Sequence, residues 1–156
     1  MRHVLATAIL AATVTAARAQ VSDDVVRIGV LTDLSSWGRD NSGPGSVEAA
    51  KMAVEKFGPT VLGKPIEIVS ADHQMKTDVG VQIVRGWFDN NKVDAVVDIP
   101  NSGIAIAVHN MVRERNKIAL LSGPGASSLT DELCSPNTVH FTYDTYALSK
   151  VTASAV

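Results

Sequence analysis

The sequence predicts an α/β fold, a doubly wound parallel sheet flanked by helices, on three observations. Short runs rich in β-branched residues recur at Val25 to Leu31, Pro65 to Ala71, Val93 to Ile99 and Ile118 to Ser122, with a weaker run at Thr138 to Thr142. Single stretches of helical periodicity separate them. The runs are almost continuously apolar, which is how strands read when helices cover both faces of a parallel sheet.

Taken in order, the chain opens with Met1-Arg2-His3, then an apolar stretch from Val4 to Ala17 and the small-x-small triplet Ala17-Arg18-Ala19. This is the pattern of a secretory signal peptide over residues 1–19, cleaved after Ala19 to leave Gln20 first. The apolar stretch falls short of the roughly 20 residues that span a bilayer. The only cysteine, Cys134, lies far from the cleavage point, so no lipid anchor is expected there. One cysteine makes no internal disulfide, and Cys134 reads as a buried, unpaired thiol. Residues 20–156 then form a single lobe.

After the first strand, Val47, Ala50, Val54 and Phe57 recur at helical spacing, with Pro44 in the first turn and Gly58-Pro59 closing the segment. Val79, Ile83 and Trp87 mark a second helix, and Ile104, Val108 and Val112 a third. From Asp144 onward the chain reads as the start of a fourth. There is no low-complexity linker, and no repeat beyond the strand-helix unit. With 46% hydrophobic residues, 19% charged residues and a net charge of −2, the composition fits a globular domain and carries no basic footprint for nucleic acid.

A doubly wound sheet binds ligands beyond the carboxyl ends of its strands, where the connections reverse direction. That rule selects three loops. The first runs from Thr32 to Gly43 and contains Trp37, whose aromatic face suits an apolar ligand body or the domain surface. The second, Pro100-Asn101-Ser102-Gly103, opens into a helix, whose N-terminal N–H groups and partial positive charge suit a carboxylate. Ser102 serves there either as a ligand donor or as the N-cap, and Gly103 and Ile104 as amide donors. The third is Ser122-Gly123-Pro124-Gly125-Ala126-Ser127-Ser128, whose glycines allow close backbone approach to a ligand or simply a tight turn.

Catalytic readings find less support. Gly43-Pro44-Gly45 and Gly123-Pro124-Gly125 lack the third glycine of a dinucleotide fingerprint. Gly125-Ala126-Ser127-Ser128-Leu129 falls one glycine short of a nucleophile elbow. His3, His73, His109 and His140 are scattered without metal-ligand spacing. No cofactor, metal or enzymatic activity is expected.

The strand Arg27-Ile28-Gly29-Val30-Leu31, Trp37-Gly38, the helix start Gly43-Pro44-Gly45-Ser46-Val47-Glu48-Ala49-Ala50 and the turn Asp72-His73-Gln74 together resemble the leucine/isoleucine/valine-binding protein family of periplasmic type I solute-binding proteins. Ile99-Pro100-Asn101-Ser102, Leu121-Ser122-Gly123-Pro124, Cys134-Ser135-Pro136-Asn137-Thr138-Val139-His140 and Tyr143-Asp144-Thr145 are similar to a branch associated with aromatic-acid uptake. The resemblance implies the first of two lobes, a small carboxylate or amino-acid-like ligand in the interlobe cleft, and a membrane permease of an ABC transporter as partner. It also implies a periplasmic location. Ser102 matches the family's carboxylate-gripping serine, and Pro124 and Ala126 match its assisting loop. Ala126 lacks the hydroxyl usual there, a gap that neighbouring Ser127 can fill. Trp37 matches an aromatic of the first loop, and Asp144 lies near the carboxylate that meets a ligand ammonium. The same fold also serves as the sensing domain of amide- or amino-acid-responsive regulators.

Overall fold

The computed structural model describes residues 21–156, so the expected signal peptide lies outside the described residues. Strand β1 (Val26–Thr32) starts the sheet and leads to helix α1 (Gly43–Phe57). A hairpin of β2 (Thr60–Val61) and β3 (Lys64–Asp72) follows, then α2 (Thr77–Asp89), β4 (Val93–Asp98), α3 (Ser102–Glu114) and β5 (Ile118–Leu121). A short 3-10 turn (Ser127–Leu129), β6 (Thr138–His140) and α4 (Thr145–Ser154) complete the chain.

The strand order is β2-β3-β1-β4-β5-β6, and every pairing is parallel except β2 with β3. The chain therefore begins in the middle, moves out to β3, returns across to β4 and continues outward on the other side. This is the doubly wound arrangement expected. Because parallel crossovers are right-handed, a step in one direction and a step in the other leave their helices on opposite faces. The sheet's side chains divide accordingly. Leu31, Val96, Ala119 and Leu121 face a fully buried core with Val84, Ile104, Val108 and Val112 of α2 and α3. Ile28, Ile66, Ile68, Val97 and Leu120 face α1.

The two faces are covered unequally. On the α2/α3 side, Trp87 and Phe88 close the core, and Trp87 lies flat against Gly29, where an added Cβ would sit 2.5 to 3.0 Å from the indole ring. On the other side α1 buries only Gly43, and a groove of about 520 Å³ remains between it and the sheet. Phe57, expected on the inner face of α1, is 70% exposed at the rim of that groove, and Phe141, also lining it, is 62% exposed.

Most element boundaries agree with the sequence reading to within a residue or two. The β2–β3 hairpin was not foreseen. Its turn places Leu62 and Gly63 at φ 54° and 74°, and a leucine in the left-handed region is not the Asn-Gly or Asp-Gly signal that marks such turns. Cys134 is exposed, contrary to expectation, because it sits in the turn-rich connection between the 3-10 turn and β6 and not on an element facing the core.

Replacing Gly29 with alanine should cost about 1 to 3 kcal/mol through overpacking against Trp87. A lowered urea midpoint, partly restored by Trp87→Leu in the same chain, checks it; an unchanged midpoint would show that the indole yields freely.

Candidate functional site

The reversal between β1 and β4 puts the loops that follow these two strands side by side at the carboxyl edge. The loop after β4 begins with a backbone twist. Asp98 and Ile99 both adopt positive φ, 77° and 57°, a strained state for a β-branched residue that persists only where its surroundings enforce it. Here the Ile99 N–H donates to Leu31 O at 3.0 Å, and the Ser122 hydroxyl donates to Asp98 Oδ1 at 2.9 Å. Ile99 is also fully buried. The chain thus leaves β4 turned toward α3.

At the mouth of α3 the N-cap is Asn101, whose Oδ1 accepts the Ile104 N–H at 3.1 Å. Ser102 is the first helical residue and does not cap, which removes capping as the explanation for it. The Ile104 amide, expected to face a ligand, is spent on Asn101. The Ser102 and Gly103 N–H groups have no intrahelical acceptor, so the free pair lies one residue earlier than expected. Ser102 Oγ accepts the Gly125 N–H at 3.2 Å, an arrangement that leaves its own hydrogen available to an anion.

This bond joins the second loop to the third. Gly123 packs directly on Pro100, with an added Cβ placed 2.7 Å from Pro100 Cα, so its glycine serves loop-on-loop contact. Pro124 is buried, its carbonyl accepting from His140 Nε2 at 2.6 Å. Ala126 packs against the core. The Ser127 hydroxyl meets Thr145 Oγ1 at 2.9 Å and accepts the Tyr146 N–H at 3.0 Å. Asp144 is the N-cap of α4, its Oδ1 accepting the Ala147 N–H at 2.6 Å. Asn101, Ser102, Gly103, Ser122, Gly123, Pro124, Ala126, Ser127 and Asp144 therefore belong to one connected group of loops. Trp37 stands on the separate loop after β1, its ring 77% exposed.

Beneath these loops lies a buried polar layer that the sequence reading did not single out: Thr32, Asp33, His73 and Asp98, with half-buried Asp72 beside them. Burial works to raise the Asp33 carboxyl, yet hydrogen bonds from the Ser36 hydroxyl and from the Ser36, Gly38 and Ser35 amides hold it below the usual carboxylate value. Asp72 behaves alike: burial raises it, and bonds from Ser35, Leu34 and Gln74 bring it down. Burial pushes the His73 imidazole below its ordinary value, with Asp33, Asp72 and Asp98 opposing. Its Nδ1 accepts the Met75 N–H at 3.0 Å, which places the ring proton of the neutral form on Nε2. His73 Nε2 and Asp98 Oδ2 are buried without hydrogen-bond partners. An acid ending an apolar strand, as at Asp72 and Asp98, or just past one, as at Asp33, is the signal that could have found this layer. Among the described residues no cluster of His, Cys, Asp and Glu is arranged to hold a metal.

Residues 25–156 match the family described as periplasmic binding protein. The chain belongs to the periplasmic binding protein family. A periplasmic binding protein from Burkholderia mallei is 47% identical, with a TM-score of 0.81, over 85% of this chain and 36% of its own. A branched-chain amino acid ABC transporter periplasmic ligand-binding protein from Burkholderia xenovorans LB400 is 42% identical, with a TM-score of 0.78, over 83% of this chain and 35% of its own. A solute-binding protein from R. palustris in complex with benzoate shares the fold at 20% identity, with a TM-score of 0.71, over 84% of this chain and 36% of its own. No match is found among curated proteins. The chain spans about a third of the length of these periplasmic binding proteins, and it has their type I fold, a mostly parallel sheet flanked by helices.

Stability of this periplasmic binding protein chain should decline in two steps as pH falls. His73, and His109 likewise pushed down by burial, stay neutral when folded but protonate in the unfolded chain, so stability drops below about 6.5. Asp33 and Asp72, depressed when folded, contribute fully above about 3.8 and lose that contribution as pH falls through their lower folded values. Urea midpoints from about pH 8 to about pH 3 measure this, and His73→Asn should flatten the upper step.

Proposed function

We propose that this chain is the first ligand-binding lobe of an extracytoplasmic solute-binding component of an ABC uptake transporter, receiving a small carboxylate or amino-acid-like metabolite. The observation that carries the reading is the mouth of α3 at the sheet's switch point. There the Ser102 hydroxyl and the unpaired Ser102 and Gly103 amides converge at the positive end of a helix of 13 residues, one loop away from an exposed tryptophan. Such a site suits a carboxylate attached to an apolar body. The Burkholderia xenovorans relative, an ABC transporter periplasmic ligand-binding protein, supports the transport role, and the benzoate complex of the R. palustris neighbour supports the ligand class. The reading assigns no catalysis: binding and release are the work, with a membrane permease as partner.

The rest of a protein of the relatives' length supplies the second half of the cleft. It also covers the apolar groove beside α1, where Phe57 and Phe141 stand exposed. Residues 1–19 act as the export signal, and the processed protein lies free in the periplasm.

Two measurements test this reading. N-terminal sequencing of exported protein should begin at Gln20; retention of Met1 in a stable exported product would refute the signal. In the two-lobed protein, Ser102→Ala should weaken binding of benzoate or leucine, whichever calorimetry finds bound, by roughly ten- to a hundredfold, since a charge-assisted hydrogen bond contributes about 1.5 to 3 kcal/mol. Asn101→Ala, which removes the true cap, should instead cost about 1 kcal/mol of stability. Unchanged affinity in Ser102→Ala would sink the carboxylate role.

A further inference from the structure

Trp37 presents an unusual combination: a large apolar side chain, 77% exposed, on a loop whose backbone is held from below at nearly every step. The Asp33 side chain, itself fully buried, does most of the holding. Its Oδ1 accepts the Ser36 N–H at 2.9 Å and the Ser35 N–H at 3.4 Å; its Oδ2 accepts the Ser36 hydroxyl at 2.5 Å and the Gly38 N–H at 2.8 Å. The residues on both sides of Trp37 are thus tied to one carboxylate. The loop passes so close over it that a Cβ at Gly38 would lie 2.9 Å from Asp33 Oδ2 and 3.2 Å from Met75 Cε.

The remaining contacts close the loop at its ends. Asp72, at the end of the neighbouring strand β3, accepts the Leu34 N–H at 3.0 Å and the Ser35 hydroxyl at 2.5 Å. Thr32 Oγ1 accepts the Gly43 N–H at 2.9 Å, where the loop enters α1. Gly43 sits at φ 50° with the Asp33 carbonyl 2.6 Å from where its Cβ would be, so only glycine fits. A loop fixed this thoroughly around an exposed aromatic costs hydrogen-bonding groups and conformational entropy that folding alone does not require. What it gains is a backbone that fixes the point from which the Trp37 side chain leaves the loop before any ligand arrives.

We propose that Asp33 is a positioning residue, one that holds the backbone on either side of Trp37 so that the aromatic side chain projects from a preset point toward the ligand. This rests on the reading of the carboxyl edge as the ligand site. Asp33 itself touches no ligand; it acts through the Ser36 and Gly38 amides. Structural support of the lobe as a whole is a different role, and the two separate experimentally because the chain holds two tryptophans, Trp37 in the loop and Trp87 in the core.

Nitrogen-15 relaxation on the labelled chain reads the order of the backbone N–H of both. With Asp33→Asn, the Trp37 order parameters should fall from the rigid range near about 0.85 to below about 0.6, while those of Trp87 stay unchanged. If Asp33→Asn does not fold, Gly38→Ala and Ser36→Ala decide, each disturbing one tie and each expected to loosen Trp37 alone. Unchanged Trp37 order in the folded variants, or loss of order at Trp37 and Trp87 together, overturns the proposal. In the two-lobed protein, titration with benzoate or leucine, whichever binds, then adds a double-mutant cycle: Asp33→Asn and Trp37→Ala should not add, the pair losing no more affinity than Trp37→Ala alone. Additive losses would overturn the proposal too. A protein that binds neither, or binds its ligand equally well without Trp37, removes the ligand reading and leaves the positioning role to stand or fall on the relaxation result.

Discussion

The parallel ladder between β1 and β4, with Val30 opposite Val97 and Leu31 opposite Asp98, joins the two strands at which the chain reverses its direction of travel across the sheet. Everything else is arranged around that pairing. Strands before it extend the sheet one way and strands after it the other, so the helices separate onto two faces. The same reversal keeps the loops after β1 and β4 from crossing over each other, and opens between them the crevice in which such sheets bind.

At the carboxyl edge, the central strands end in polar side chains that are buried and tied to the loops above. Thr32 ends β1 and Asp33 follows it, half-buried Asp72 ends β3 and His73 follows it, and Asp98 ends β4. A buried carboxylate is costly unless bonded, and here the donors are supplied by loop amides and serine hydroxyls. The cost of burying charge is thereby offset by fixing the geometry of loops that lack secondary structure of their own. The strained pair Asp98 and Ile99 belongs to the same scheme, since the twist is held by the bonds to Leu31 and Ser122 and by the burial of Ile99.

The two faces of the sheet are finished to different degrees. The α2/α3 face is packed to completion around Trp87, Val96 and Val108, whereas α1 leaves an apolar groove along Ile28, Ile68, Val97 and Leu120. Relatives of the family are about three times as long as the part matched here. The loops after β4 and β5 nonetheless form a connected set, because their ties run to one another and to α4: Ser102 to Gly125, Gly123 to Pro100, Ser127 to α4.

The sequence by itself determined the fold class and the order of the main strands and helices, because burial imposes continuous apolar runs on covered parallel strands and a near-four-residue period on helices, and a single chain displays both openly. It also marked Ser102 and Trp37, through their place after apolar strands. It missed the two-residue strand β2, too short to show a period, and placed Phe57 inside and Cys134 in the core, since a hydrophobic residue's type does not say whether a covering element is present. Only the tertiary structure decided which residue caps α3, where Asn101 and Ser102 are equally plausible by type and the choice turns on backbone angles set by the twist at Asp98 and Ile99. Likewise Asp144 and Ser127 read as ligand groups in sequence yet bond to the N-terminus of α4. The layer of Asp33, Asp72, His73 and Asp98 shows in sequence only as acids at or just past the ends of apolar strands; its assembly was decided by parallel pairing, which brings those strand ends together.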